Sequence, residues 1–582
     1  MFKLLKYMKW YEWFMLIGIF AIVCGQVFCN IKLPEFTFEI SDLLVLHDIS
    51  LVWKELVIAC MKMLGVAAGV LVCAIIARFI SSILITRLLA RVRAKVFEKV
   101  NSFSSSEISN FSIPSLITRS TNDITQLQQV LTTLVTMGLF APLMAVFAIT
   151  KIVELSSTNS ASTLSWINIV SVIAICLVVM FIMITVIPKF KIMQKTTDEL
   201  NKVTRENLTG IKVVRANSAE KTQEDKFEKV NTKFAKINSF TSKILSLIDP
   251  AMTLIMQGTS LAIVWIVGMI AKTNPGTVVL MSAFTQYSVF IILSFTSLSM
   301  LFMFVPRGII SGKRINEILD TNLVLKDGAG IKSNEKGSIV FRNVFFRYPD
   351  ADADVLEDIS FEVKKGQTIA FIGSTGSGKS TLINLIPRFY DCTKGEILIN
   401  GNNIKHYTQS QLHDMIGYVP QKGILFSGTV ESNIKYGKEN ATEEEVKKAL
   451  EIAEAKFVYK FNEGLAHPIA QGGSNVSGGQ KQRLSIARAI IKDPEILIFD
   501  DSFSALDFKT DKSVRRNLNR NFKNTTKVIV AQRIGTIMNA DQIVVLNEGK
   551  MVGIGTHKQL LKNCKVYKEI ALSQLSEEEL EK

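Results

Sequence analysis

The chain has 582 residues, of which 48% are hydrophobic and 20% charged, with mean hydropathy +0.27 and a formal charge of +15. At roughly 150 residues per domain this exceeds one small fold, the apolar fraction excludes a disordered chain, and the 33 glycines without a three-residue period exclude a collagen-like one. A pI near 9.3 raises the question of nucleic acid, but most of the excess charge lies before residue 325, between apolar runs, where membrane orientation explains it. No nucleic-acid partner is expected.

In chain order, Met1 to Trp10 sets Lys3, Lys6 and Lys9 beside Phe2, Leu4, Leu5, Tyr7, Met8 and Trp10, which predicts a helix lying in a membrane interface. A secretory signal is the rival reading of this start, but the apolar run continues without a small-residue cleavage site, so retention is expected. Apolar stretches of spanning length follow near residues 11–31, 57–86, 129–153, 165–187, 246–271 and 278–306. Each suits a helix of ~20 residues crossing a hydrocarbon layer of about 30 Å. Six crossings place both termini on one side, and Lys/Arg bias says which. Arg87, Arg91, Arg93, Lys95, Lys99 and Arg119 lie between the second and third runs, and Lys189, Lys191, Lys195, Lys202, Arg205, Lys212 and Arg215 between the fourth and fifth. The opposite loops offer little beyond Lys32, Lys54 and Lys272. Both termini and both basic stretches are therefore expected in the cytoplasm of a bacterial cell, with the chain multi-pass in the lipid bilayer of the cell membrane. Leu88 to Gln128 and Lys189 to Ser242 keep helical periodicity, so the membrane helices are expected to continue into the cytoplasm.

The seven cysteines (Cys24, Cys29, Cys60, Cys73, Cys176, Cys392, Cys564) are scattered, with no C-x-x-C pair, and read as small buried apolar side chains rather than as disulfides or a zinc site. After about residue 325 short β-branched or aromatic runs (338–346, 367–372, 496–499, 527–530, 542–546) alternate with helical patterns, which predicts an α/β unit with a largely parallel sheet. The domains are thus 1–325, an all-α six-helix transmembrane domain with cytoplasmic extensions, and 326–582, an α/β P-loop nucleotide-binding domain.

Gly373-Ser374-Thr375-Gly376-Ser377-Gly378-Lys379-Ser380 fits G-x-x-x-x-G-K-[ST] between a strand-like run and the helical pattern from Thr381. Glycines let backbone N–H groups wrap a polyphosphate at a helix start, Lys379 neutralises its oxygens, and the Ser380 hydroxyl suits Mg²⁺. Ile496 to Asp500 ends a buried-looking strand on a carboxylate, where a magnesium-positioning acid is expected.

These motifs, together with Gln421 in Tyr418-Val-Pro-Gln421, Asn475-Val-Ser477-Gly478-Gly479-Gln480 and Ser504-Ala-Leu-Asp507, resemble the ATP-binding cassette (ABC) exporters. Ser115 to Asp123 and Arg205 to Gly210 look like that family's cytoplasmic loops, so the resemblance spans nearly the whole chain. It implies ATP and Mg²⁺ as ligands: Tyr348 stacking on adenine (a packed edge-strand tyrosine being the alternative), Gly373 to Thr381 and Gln421 on the nucleotide, and Ser380, Gln421 and Asp500 on Mg²⁺. It also implies that Ser477, Gly478, Gly479 and Gln480 close over ATP held by a different subunit. A Ser-Gly-Gly at a helix start offers a hydroxyl, free N–H groups and a dipole for that.

Two positions depart from the family pattern. Where the family has Glu to polarise the attacking water the chain has Asp501, and where it has His the chain has Gln532, which carries no positive charge. A general base is worth roughly 10² to 10⁴ in rate, so the resemblance with these changes implies a site that binds ATP and hydrolyses it poorly. The expected partner is a second homologous half-transporter supplying the consensus Glu and His, whose ATP this chain's intact Ser477 to Gln480 completes. Gln471, in Ile469-Ala-Gln471-Gly472-Gly473, departs too, at a segment associated with partner loops. The sixth run carries Phe284, Tyr287, Phe290, Phe295, Met300, Phe302, Met303 and Phe304 among Ser, Thr and Gln, a surface suited to a small amphipathic substrate or to lipid packing. Acidic residues are nearly absent from the spans, so ion coupling is not expected. The function expected is ATP-driven export of drug-, lipid- or peptide-like molecules, the alternatives being a homodimeric exporter and an ATP-binding sensor that does not pump.

Overall fold

The computed structural model describes residues 2–46, 49–158, 162–271, 275–333, 335–349 and 351–576, the side chains of 2, 46, 49–51, 158, 162–164, 191, 194, 275, 276, 302 and 303 excepted. Met1, Lys272 and the side chains of Phe2, Lys191, Phe302 and Met303, all named above, lie outside this description. The chain divides into two units, Met1–Asn101 with Ile113–Thr321, and Ser102–Ser112 with Asn322–Lys582.

The first unit is helical: α1 (Trp10–Leu46), α2 (Ile49–Asn101), α4 (Ile113–Ser120), α5 (Asn122–Thr158), α6 (Ser162–Thr209), α7 (Ile211–Ala216), α8 (Glu220–Leu245), α9 (Ile248–Ile270) and α10 (Leu280–Asp320). Six helical stretches are long and apolar enough to cross a membrane, one for each expected run. They overrun the apolar segments: α2 has 53 residues, about 80 Å at 1.5 Å per residue. Val27, Ile31, Met144, Ala148, Ile263, Phe284 and Tyr287 form an inner cluster. There the Tyr287 hydroxyl donates to the Ile31 carbonyl (3.0 Å) and Ser171 pairs with Thr259 (2.6 Å), so buried hydroxyls keep partners where water is excluded.

The helix expected at the start is present as a 3₁₀ helix, Phe2–Tyr7, six residues being too few to repay α-helix nucleation. Leu4 is 1% exposed there and the Tyr7 carbonyl accepts from Arg91 Nε (3.0 Å). Two expectations change here. The cysteines are not uniformly buried: Cys392 and Cys564 are, whereas Cys60 and Cys176 are exposed, and all seven are free thiols. On a helix in hydrocarbon an apolar side chain gains nothing by facing inward. Nor do the sixth-run aromatics share one surface. Phe284 and Tyr287 are fully buried, Phe290 and Phe295 half-buried, and Met300 and Phe304 exposed. The hydroxyls of Ser288, Ser294, Thr296 and Ser297 donate back to carbonyls four residues earlier, as such residues do inside helices.

The second unit contains α3 (Ser105–Phe111) and the chain from Asn322. Ser104 and Glu107 form a capping box on α3, and the buried Glu107 also accepts from the Val324 N–H (2.7 Å). The strands are β1 (Ile339–Phe346), β2 (Leu356–Val363), β3 (Thr368–Gly373), β4 (Lys394–Ile399), β5 (Asn402–Asn403), β6 (Ile416–Val419), β7 (Gly428–Thr429), β8 (Pro468–Ile469), β9 (Ile496–Asp500), β10 (Thr526–Val530), β11 (Gln542–Asn547) and β12 (Lys550–Gly555). Ten of them form one sheet in the order β5-β4-β1-β2-β12-β11-β3-β10-β9-β6, and β7 pairs with β8. The sheet is mixed rather than largely parallel. β11, β3, β10, β9 and β6 run parallel, while β1, β2, β4 and β5 pair antiparallel and β12 turns back on β11. β9 and β10 are buried along their whole length, as strands covered on both faces are. The carboxyl ends of β3, β6, β9 and β10 lie side by side, where a doubly covered sheet presents its ligand crevice.

Candidate functional site

Each loop leaving those four strand ends carries a residue singled out in the sequence. After β3 the loop runs from Gly373 to Lys379, where the helix Lys379–Leu385 begins. Gly376 and Gly378 have φ of +85° and +93°, which side chains rarely adopt. A Cβ on Gly378 would lie 2.7 Å from Leu356. Ser374, Thr375 and Gly376 form an exposed tip, and Ser377 is buried at its base. Lys379 Nζ donates to the carbonyls of Gly373 (2.9 Å) and Ser374 (2.7 Å), so its ammonium is folded back across the loop. Burial pushes its pKa down, and the carboxylates of Asp501 and Asp500 oppose that. A polyphosphate in this cradle would meet loop N–H groups and one partly desolvated cation.

Ser380 Oγ donates to Asp500 Oδ1 at 2.8 Å, joining the loop to the end of β9. Among the described residues no cluster of three His, Cys, Asp or Glu side chains suits a metal. The Ser380 hydroxyl and the Asp500 carboxylate are hard oxygen donors of the kind Mg²⁺ takes when phosphate oxygens and water complete its shell, so the residues fit that ion. Asp500 is 6% exposed, and burial raises its pKa, the Ser380 hydrogen bond and Lys379 opposing and Asp501 adding to the rise.

Asp501 is the point where the loops converge. It sits at φ +45°, a left-handed conformation that Asp enters more readily than most residues. Its N–H donates to the Val530 carbonyl (3.0 Å), and Ser504 Oγ donates to its carbonyl (2.7 Å). On its side chain, Oδ2 accepts from Gln532 Nε2 at 2.9 Å and from Gln421 Nε2 at 3.4 Å. Burial is the first cause of its raised pKa, and hydrogen bonding and the nearby cations moderate it. The two residues that depart from the family pattern thus bond to each other, with Gln421 as third member.

Tyr348, just past β1, is half-buried. Its hydroxyl pairs with Thr381 Oγ1 (3.0 Å), and its ring stands edge-on to Phe346 (4.9 Å) and Tyr390 (5.3 Å). Sequence reading missed Tyr390, which has no motif and comes beside Tyr348 only through the sheet. Gln482, in the Lys481 to Arg488 run that follows the signature and marks the family resemblance, was given no role; its Nε2 donates to the Pro420 carbonyl (3.0 Å), next to Gln421. Ser477 to Gln480 stand apart from this cluster. Ser477 caps the helix Gly478–Ile490 in a reciprocal box with Gln480, and Ser477 and Gly478 are exposed. Among the described residues they share no hydrogen bond with the phosphate loop; Gln482 is the link. Gln471 is exposed in a short 3₁₀ turn where Gly472 takes φ +65°.

Residues 356–504 match the family described as ABC transporter, and residues 13–296 match the ABC transporter transmembrane region. The chain is 37% identical over 518 residues to an uncharacterized ABC transporter ATP-binding protein of Mycobacterium tuberculosis, covering 88% of each. Over 257 residues, 44% of each chain, it is 44% identical to a putative multidrug export ATP-binding/permease protein of Staphylococcus aureus. Its fold superposes on a bacterial Atm1-family ABC exporter with ATP bound at a TM-score of 0.81 and 25% identity, covering 97% of this chain and 99% of that one.

Proposed function

Because the chain belongs to the ABC transporter family and joins six apolar helices to an ATP-binding domain, we propose that it is one half of a heterodimeric exporter whose own phosphate loop holds ATP and hydrolyses it poorly. ABC exporters act as dimers in a membrane, and transport by this family is coupled to ATP hydrolysis. In this reading the nucleotide-binding unit and both termini face the cytoplasm, on the side of the Lys/Arg-rich stretches. The loop backbone and Lys379 bind the terminal phosphates, Tyr348 receives adenine, and Ser380, Asp500 and Gln421 hold Mg²⁺. That ion, when bound, neutralises phosphate charge.

The observation that carries the poor hydrolysis is the triad Gln421, Asp501 and Gln532. A carboxylate one methylene shorter than glutamate accepts two amide hydrogen bonds on one oxygen, and the residue beyond it is an uncharged amide. A base held back from the attacking water loses most of what positioning supplies. The exposed Ser477-Gly478 helix start completes a partner's site, where a normal Glu and His would work. The cargo is amphipathic or hydrophobic, a reading supported by the multidrug-export description of the Staphylococcus relatives.

The test is nucleotide trapping with the purified chain, alone and with a co-purified partner half. Alone, it should retain ATP with little turnover, and Asp501→Asn should change nothing. With the partner, turnover should appear and vanish when the partner's glutamate is removed. Brisk hydrolysis by the chain alone, abolished by Asp501→Asn, would refute the reading.

A further inference from the structure

Acidic residues are nearly absent from the spans, and the telling charge in them is basic. Arg78 lies on α2 about 13 Å from Arg87, the next basic residue of the helix, and about 24 Å from Lys62 at 1.5 Å per residue. A hydrocarbon layer is about 30 Å thick, so Arg78 sits inside it. A charge at such depth turns to the bundle interior, to a partner charge or to a polar cavity, and marks a functional site by default. Arg78 is itself exposed, and it lines one side of a cavity of about 170 Å³ bounded by α1, α2, α5 and α10. Gln26, Thr136 and Ser297 add polar groups, and Val23, Met137 and Phe140 add apolar wall, but no Asp or Glu borders it. Arg91 and Arg119 each meet a carboxylate, Glu12 and Glu317. Among the described residues the Arg78 guanidinium has no hydrogen-bond or ion-pair partner.

We propose that this cavity binds the charged end of an amphipathic anion, a sulfonate, carboxylate or phosphate monoester on an aromatic or short aliphatic body, with Arg78 as its countercharge. The guanidinium presents a planar fork of donors that matches such oxyanions. The Gln26 amide serves a remaining oxygen, the Thr136 and Ser297 hydroxyls already donating to the Thr132 and Leu293 carbonyls, and the apolar wall takes the body. A cavity of about this size accepts a benzene-sized group. With no carboxylate in the wall, a cation of the same shape meets an uncompensated guanidinium and is rejected. That the anion is cargo rests on the exporter reading; that it binds does not.

The experiment uses the full-length chain in nanodiscs of zwitterionic phospholipid and equilibrium dialysis with three probes on one phenyl ring: benzenesulfonate, benzyl alcohol and benzylammonium. The sulfonate should bind about tenfold or more tighter than the alcohol, with the ammonium weakest. Arg78→Gln should erase the preference and leave alcohol binding alone, and Arg78→Lys should keep part of it. Gln26→Leu, which leaves every charge in place, should weaken the sulfonate alone and guards against a poorly folded Arg78 variant. Equal affinity for all three probes, or a sulfonate preference surviving Arg78→Gln, overturns the proposal, as expected of an arginine that merely reaches toward headgroups. Discs containing phosphatidylglycerol separate the sources: displacement of the sulfonate assigns the site to a bilayer anion, and no displacement to a soluble one. A fluorescent ATP analogue followed in the same discs reports the phosphate loop. Its failure to bind wild type would count against the exporter reading and leave the charge preference standing.

Discussion

Asp501 and Gln532 make a local prediction of gain rather than loss. Asp501→Glu combined with Gln532→His should restore a base with reach and an ionisable neighbour, raising single-turnover hydrolysis by roughly 10² or more in the chain alone. Either change singly should give less, because the two side chains share one hydrogen bond. Asp500 makes a prediction about pH. Its pKa is raised by burial, so it keeps its proton to a higher pH than an exposed aspartate. Mg²⁺-nucleotide binding needs the ionised form and should weaken as pH falls through that raised value, beginning above the ordinary aspartate range. Titrating nucleotide affinity against pH with and without Mg²⁺ checks this: only the Mg²⁺ curve should carry the acidic limb. For folding the sign is opposite to that of a salt-bridged acid, since ionising this buried carboxyl costs stability as pH rises through the ordinary range. At this scale the sequence was informative wherever a glycine, a lysine or a strand-end acid is dictated by local chemistry, as in Gly373 to Ser380 and Asp500. The roles of Tyr390 and Gln482 were illegible because they arise from contacts with Tyr348 and Pro420, far away in the chain.

At the scale of elements, the pairing of α1 with α2 depends on Glu12, fully buried and joined to Arg91. Arg91→Ala would strand that carboxylate and should cost about 3–5 kcal/mol, whereas replacing both partners with methionine should cost much less. Thermal unfolding in detergent compares them. The packing of α5 on α10 is close at Gly308, where a Cβ would lie 2.7 Å from Val130 Cγ1. Gly308→Ala should destabilise by about 1–3 kcal/mol, and Val130→Ala in the same chain should relieve it. Elements with strong periodicity were legible: all six spans, and the strands whose apolar runs are continuous, β3, β9, β10 and β11. β2 and β4 were not, because Glu357, Asp358 and Glu362, or Lys394 and Glu396, break up their apolar pattern on the exposed side. Missing them turned a mixed sheet into a largely parallel one.

For the whole molecule, the Gly478–Ile490 helix start separates folding from assembly. A Cβ on Gly478 meets nothing within 4 Å in this chain, so Gly478→Ala should leave its unfolding temperature unchanged. In the complex with a partner half it should lower ATP turnover steeply, because a methyl group would stand where a phosphate approaches. Equal turnover would place that helix outside any shared site. The sequence could mark where membrane character ends, near residue 325, but not that Ser102–Ser112 folds with what comes after it. A short polar helix reveals its allegiance only through what it touches, here Val324. Consequently the backbone passes between the two units three times, at 101/102, 112/113 and 321/322. A protease nick between 326 and 333 would sever only the last of these threads. Ser102–Ser112 would stay on the N-terminal fragment while the unit it folds with lies on the other, so both should travel as one band on a native gel and part only in denaturant.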